Sequence, residues 1–325
     1  AERGFRIDAT YHGRLKGAAD ELKHCDGSRA VLLQENGDPW PIGHRLLQPD
    51  LARTYAGIAR HGMDWFYRGP FSERTAAWMV EEGGIMTGED LASYRVKLRE
   101  VVRSRYRGHE VIGFPPPSSG GVHVAQILNI LEGFDLKSMG RESADFVHVV
   151  SEAMKLAFAD RAHWLGDPGF ARVPRGLVDR EYGQGLAERI ALDRVIEVDG
   201  HGRPPDAGSD VFSKHTTHFS VADAEGNWVA VTATINTSFG AKVMVPGTGV
   251  ILNNEMDDFS AQPGKPNYFG LIGAEANAIA PGKRPLSSMS PTIVLKDGVP
   301  VFSAGAAGGP TIISQTLLAI IDHVD

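Results

Sequence analysis

The chain has 325 residues, 42% hydrophobic and 22% charged, enough apolar material for one large core or two modest ones. A formal net charge of −7 with scattered lysine and arginine excludes the basic footprint of a nucleic-acid binder. Cys25, the single cysteine, excludes an internal disulfide, no C-x-x-C or H-E-x-x-H pattern supports a metal site, and no apolar run approaches the ~18 residues that span a bilayer.

The N-terminal stretch AERGFRIDATYHGRLKG lacks the apolar core of a signal peptide, so the chain as given reads as soluble, a reading that leaves room for a targeting segment removed ahead of it. The first two thirds carry helical signals. PDLARTYAGIARHG sets Leu51, Tyr55 and Ile58 on one face and stops at Gly62, and TGEDLASY pairs Thr87 with Asp90 in a near capping box. GGVHVAQILNILEG and SADFVHVVSEAMKLAFADRAHWLG predict core helices, the second with Phe146, Val149, Val150, Ala153, Met154 and Ala157 along one face. Between EVIG, a short strand, and the first of these helices, three prolines stop the ladder and Ser118, Ser119, Gly120 and Gly121 lead into the helix.

From 193 to 215 the periodicity fails in a polar stretch rich in glycine and proline, and loops of that length inside compact domains tend to be functional or mobile. Strands follow. TTHFSVAD and WVAVTATIN flank the turn AEGN as a hairpin, TGVILNN predicts another strand, and PTIVLKDGVPVFSAG predicts two joined at Asp297-Gly298. PTIISQTLLAIIDHV closes the chain as an apolar helix opened by Pro310.

Several clusters can carry chemistry. SAGAAGGPTIIS matches neither G-x-G-x-x-G nor a P-loop, but backbone N–H groups at Gly308 and Gly309 could stabilise negative charge on a ligand or an oxyanion. Glu255, Asp257 and Asp258 lie beside Asn253 and Asn254; this turn suits a hard cation, plain solvation or a ligand ammonium. Ser287, Ser288 and Ser290 lack both G-x-S-x-G and S-x-x-K, which leaves a plain turn or hydroxyls donating to a ligand carboxylate.

Thr216 and Thr217 suit a strand as β-branched residues. A competing reading makes Thr216 a new N-terminus: cleavage in the preceding loop frees an α-amine that serves as base for the threonine's own hydroxyl. That needs a flexible segment before it and a rigid strand after it, and the sequence offers both.

At this point TTHFSV, TATINTSFG, GVILNNEMDDFS, KRPLSSMSPTIV and GAAGG, with PDLARTYAGIARHG, GGIMTGEDLASY, PPPSSGG, EAMKLAFADR and LGDP upstream, resemble the γ-glutamyltransferases, autoprocessing members of the N-terminal nucleophile hydrolases. The resemblance runs through nearly the whole chain in order. It implies an α+β fold, the four-layer αββα sandwich of that superfamily. Residues 1–215 form most of a large subunit ending in the processing segment, and 216–325 begin a small one that shares its core.

It implies cleavage between His215 and Thr216, with Thr216 as nucleophile and Thr234 orienting it. Asn236, Glu255 and Asp258 hold the donor's α-amino group, Ser287 and Ser288 donate to its α-carboxylate, and Gly308 and Gly309 form the oxyanion hole. In family members an arginine that pairs with the donor's carboxylate lies N-terminal to the part that matches residue 1, and the small subunit runs on beyond the part that matches residue 325.

Segment 261–270 corresponds to a lid, with Phe269 where some members have tyrosine. The implied partners are a glutathione-like γ-glutamyl donor and a water, amino-acid or peptide acceptor, with no cofactor, metal or nucleic acid, in a periplasmic or extracellular setting. Rival readings are a cephalosporin or glutaryl acylase, a poly-γ-glutamate transpeptidase, or a non-catalytic binder of glutamyl ligands. His218 is read as a strand residue, since the Thr216 amine supplies the base.

Overall fold

The computed structural model describes residues 1–205, 217–267 and 270–325. His215, Thr216, the last part of the expected processing segment and Phe269 therefore lie outside the described residues. By contact the chain divides into two units, 1–98 with 235–254, and 99–234 with 255–325.

In the first unit, β1 (Phe5–Arg6) pairs antiparallel with β2 (Arg45–Leu46). Helix α1 (Ala9–Leu22) starts where the Asp8 carboxylate accepts the Tyr11 N–H at 2.7 Å, satisfying one of the first-turn donors. Helix α2 (Asp26–Leu32) follows, and Ile7, Leu15, Leu22, Leu32, Leu46 and Met244 close a small core around the pair.

Helix α3 (Pro49–His61) ends at Gly62 as expected, at a φ of 71°. Its buried residue, however, is Thr54, and Tyr55 is 60% exposed, because Thr54 Oγ1 donates to the Thr248 carbonyl at 2.7 Å. Helices α4 (Met63–Tyr67) and α5 (Pro70–Glu81) lead to α6 (Gly88–Ser93), where Thr87 and Asp90 form the complete capping box.

The returning segment 235–254 carries no strand. TGVILNN contributes a single bridge, Met244 to Ile251, because Gly247 and Gly249 turn the backbone at φ of 80° and 68°. A side chain on Gly249 would collide with the Leu51 backbone.

The second unit contains the larger core. Strands β3 (Val102–Tyr106) and β4 (His109–Gly113) form a hairpin through Arg107 and Gly108. Strands β5 (Thr217–Ala222) and β6 (Trp228–Ala233) form the expected second hairpin. Strands β7 (Thr292–Lys296) and β8 (Val299–Ala304) turn at Asp297-Gly298, again as expected. The order β3-β4-β7-β8 makes one antiparallel sheet.

Helix α7 (Gly120–Leu131) is buried along its whole length, consistent with a segment apolar on nearly every side. It packs on β3 and β4 and is covered by α9 (Ala144–Trp164), α10 (Arg180–Ala187) and α11 (Thr311–Val324), with the short α8 (Leu136–Met139) before α9. Ile127, Leu131, Val149, Leu156, Val294, Leu317 and Ile320 are the centre of this core. Each buried aliphatic side chain of this kind stabilises by about 1.5–3 kcal/mol.

The β5–β6 hairpin lays a polar face on β8. Ser220 Oγ and Ser303 Oγ are 2.7 Å apart, and a side chain on Gly305 would collide with the His218 ring. Its alternate residues Phe219, Val221 and Val229 are exposed.

Candidate active site

Two irregular segments of the second unit are stitched together beside the N-terminus of α7. The Ser119 N–H donates to the Ser287 carbonyl at 2.7 Å and the Ser287 N–H to the Pro117 carbonyl at 2.8 Å, a parallel bridge. Ser118 Oγ adds a bond to the Met289 carbonyl at 2.6 Å. Gly120 and Gly121 permit this approach, since a side chain on Gly120 would run into Met289 and Ser290, and one on Gly121 into Phe114. Ser287 keeps 8% exposure and Ser288 none.

Behind Ser288 lies Arg161, on the last turn of α9 and 1% exposed. One guanidinium nitrogen donates to Ser288 Oγ, and Nε donates to Ser119 Oγ at 3.2 Å. Burial works against its charge and the carboxylate of Asp258 supports it. Arg161 also sits over the Phe158 ring, 5.5 Å from its centroid.

The acidic turn is a 3₁₀ segment, Glu255–Asp258, with Asp258 fully buried. Burial pushes the Glu255 carboxyl up to about 7, and its hydrogen bond with Asp258 acts in the opposite direction. Asn277, also fully buried, ties this turn to the serine segment: its Nδ2 donates to the Asp258 carbonyl at 2.8 Å and its Oδ1 accepts the Leu286 N–H at 3.3 Å.

The structure thus gathers Glu255, Asp258, Ser287 and Ser288 around Arg161 and Asn277. Neither of the last two is assigned by sequence reasoning. The signal for Arg161 was present as the final residue of EAMKLAFADR, a charged residue on the otherwise apolar side of a core helix; Asn277 sits in a loop with no pattern to mark it.

Thr234 directly follows the last register pair of the hairpin, Thr217 with Ala233, and is half-buried. Asn236 belongs to the first unit, buried, at a φ of 74°, with its Nδ2 donating to the Asn254 carbonyl at 3.0 Å. Gly308 and Gly309 link β8 to α11 at φ of 128° and 67°. The Thr311 hydroxyl donates to the Gly308 carbonyl at 2.8 Å, and the Ile312 N–H to the Gly309 carbonyl at 3.1 Å.

His218, in β5, has Thr232 Oγ1 at 2.9 Å and Ser220 Oγ at 3.1 Å, and desolvation lowers its pKa. Among the described residues no helix is long and apolar enough to cross a membrane.

The cephalosporin acylase of Bacillus halodurans superposes over 99% of this chain and 57% of its own, with a TM-score of 0.84 at 27% identity. The γ-glutamyltranspeptidase of Helicobacter pylori aligns over 60% of this chain and 56% of its own, with a TM-score of 0.59 at 36% identity. The fold is α+β, of the N-terminal nucleophile hydrolase type.

The γ-glutamyltranspeptidase family model matches residues 1–325, and the chain belongs to that family. It is 44% identical over its whole length to a glutathione hydrolase proenzyme of Escherichia coli (strain K12), covering 56% of that protein. It is 42% identical to an acylase ACY 1 proenzyme of Pseudomonas sp. (strain SE83), again over the whole chain and 55% of the relative. The chain spans a little over half the length of the curated relatives it matches.

Proposed function

We propose that the protein is an autoprocessing γ-glutamyltransferase. Cleavage between His215 and Thr216 frees the Thr216 amine, which takes the proton of its own hydroxyl as that oxygen attacks the γ-amide carbonyl of a glutathione-like donor. Thr234 orients the nucleophile, and the N–H groups of Gly308 and Gly309 stabilise the tetrahedral oxyanion. Collapse breaks the C–N bond, the amine leaves with a proton, and a γ-glutamyl ester remains on Thr216. Water, or the amine of an amino acid or peptide, then resolves the ester.

Asn236, Glu255 and Asp258 accept from the donor's ammonium, and Ser287 and Ser288 donate to its carboxylate. The observation that carries this reading is the junction of half-buried Glu255 and buried Asp258 with the Ser287–Ser288 segment through Asn277 and Arg161. Acceptors for an ammonium and donors for a carboxylate, held together, match an amino-acid zwitterion. A periplasmic or extracellular setting is part of the proposal and rests on the family resemblance.

The test follows the full-length protein on a denaturing gel and in an assay with a γ-glutamyl anilide. The wild type should split into two fragments and release the aniline, and Thr216→Ala should stay intact and inactive. An intact, inactive wild type would end the proposal.

The similarity to cephalosporin acylase and acylase ACY 1 favours one second reading, an acylase acting on glutaryl amides. A glutaryl anilide lacks the ammonium, so turnover of it at a rate equal to or above that of the γ-glutamyl anilide would select the acylase.

A further inference from the structure

Arg161 is absent from the set of residues that the resemblance assigns to the donor, yet among the described residues it is the largest polar side chain sealed inside the second unit. A guanidinium has five N–H donors and no acceptor, so a buried one imposes the acceptor role on whatever it touches. Here it touches two serine hydroxyls, Ser119 at 3.2 Å from Nε and Ser288 from a terminal nitrogen.

A serine hydroxyl has a single proton. With one lone pair of Ser288 Oγ taken by a cation, that proton is turned away from Arg161 and made more acidic by the neighbouring positive charge. Ser119 is held in turn: its own proton goes to the Ser287 carbonyl at 3.0 Å. The same guanidinium therefore ties the segment that carries Ser119 to the one that carries Ser287 and Ser288.

We infer that Arg161 is a positioning residue for the donor's α-carboxylate: it occupies the acceptor side of Ser288 and thereby presents the Ser288 hydroxyl to the substrate as a dedicated hydrogen-bond donor. The inference rests on the γ-glutamyl reading above and extends it to a residue with no contact to substrate. Lysine in its place keeps the charge but not the fork that reaches Ser119 and Ser288 together.

The experiment is a kinetic double-mutant cycle on the full-length protein with γ-glutamyl-p-nitroanilide and with its 4-aminobutanoyl analogue, which lacks only the α-carboxylate. Arg161→Lys should raise KM for the γ-glutamyl donor by about tenfold with kcat changed by less than about threefold, the pattern of lost uniform binding. In a Ser288→Ala background the same change should add less than about twofold, because coupled residues are not additive. On the analogue the effect of Arg161→Lys should fall below about twofold.

Additive effects, or equal losses on both substrates, overturn the inference while leaving the γ-glutamyl reading intact. A wild type that releases no p-nitroaniline overturns both. Should Arg161→Lys not fold, Ser119→Ala, which removes the second anchor of the guanidinium, carries the same cycle. A KM rise of about two- to fivefold that vanishes in the Ser288→Ala background supports the inference, and a rise that persists there, or no rise, overturns it.

Discussion

Asp160 and Arg161 are consecutive residues on α9, and their side chains anchor different segments. Arg161 holds the serine segments. Asp160 accepts from Tyr182 Oη at 2.6 Å, Gln126 Nε2 at 2.6 Å and the Gly202 N–H at 2.5 Å. With Trp164 Nε1 donating to the Gly202 carbonyl at 3.2 Å, the end of α9 clasps the backbone at Gly202 from both sides.

Asp160→Ala should therefore destabilise the protein by about 3 kcal/mol, since it leaves several buried donors without their acceptor. Urea unfolding measures the loss, and the Gly202 amide should exchange with solvent faster than in the wild type. An unchanged midpoint and exchange rate would show that the clasp contributes nothing.

Glu255 gives a pH dependence with a defined sign. Burial raises its carboxyl to about 7, so below that pH the Glu255–Asp258 pair retains a proton and has less negative charge to offer an ammonium. The logarithm of kcat/KM for a γ-glutamyl anilide should rise with pH, with a slope approaching one, until about pH 7. Glu255→Gln should flatten that limb, and a variant with the wild-type profile would remove Glu255 from the binding of the donor.

His123 predicts a second pH effect, on stability. Its ring is fully buried, with Nε2 at 2.8 Å from the Ala157 carbonyl, and burial followed by the charge of Arg161 lowers its pKa to about 3. The folded state holds it neutral, whereas the unfolded chain takes up its proton near the ordinary value of about 6.5. This contribution is fully present above pH 6.5 and is lost as pH falls from there towards 3, amounting to up to about 3 kcal/mol by pH 4. Wild type and His123→Gln should converge in urea midpoint as pH drops from 7 to 4, and parallel curves would contradict the assignment.

Gly120 and Gly133 form a matched pair. Gly120→Ala places a methyl against Met289 and Ser290, and should cost about 2 kcal/mol of stability and raise the donor KM. Gly133 has open space around it, so Gly133→Ala should stay within about 0.5 kcal/mol of wild type. Equal behaviour of the two variants would mean that the serine segment is not held against the helix start.

The sequence made some of this plain. The apolar face of α9 and the Asp297-Gly298 turn follow from local periodicity and turn chemistry, and both stand in the structure. So does the Thr87–Asp90 capping box. Elements whose burial comes from distant residues escape such reading: α2 rests Ser28 Oγ against the Lys242 carbonyl at 2.6 Å, a partner over two hundred positions away. The expected strand at TGVILNN failed because positive-φ glycines outweigh its β-branched residues.

The site divides in the same way. Glu255, Asp258, Ser287 and Ser288 can be picked out as clusters of one chemical type. Arg161 and Asn277, which join those clusters, act through contacts between segments well over a hundred positions apart in one case and between neighbouring loops in the other.

Each contact unit draws on residues from both sides of position 215. In the first, 235–254 accepts from Ser28 and Thr54 of the earlier segment. In the second, β4 pairs with β7 across the same point. A single backbone break between 215 and 216 would thus leave two fragments interlocked: dilution or gel filtration under native conditions would not part them, and only a denaturant that melts both units would reveal the break.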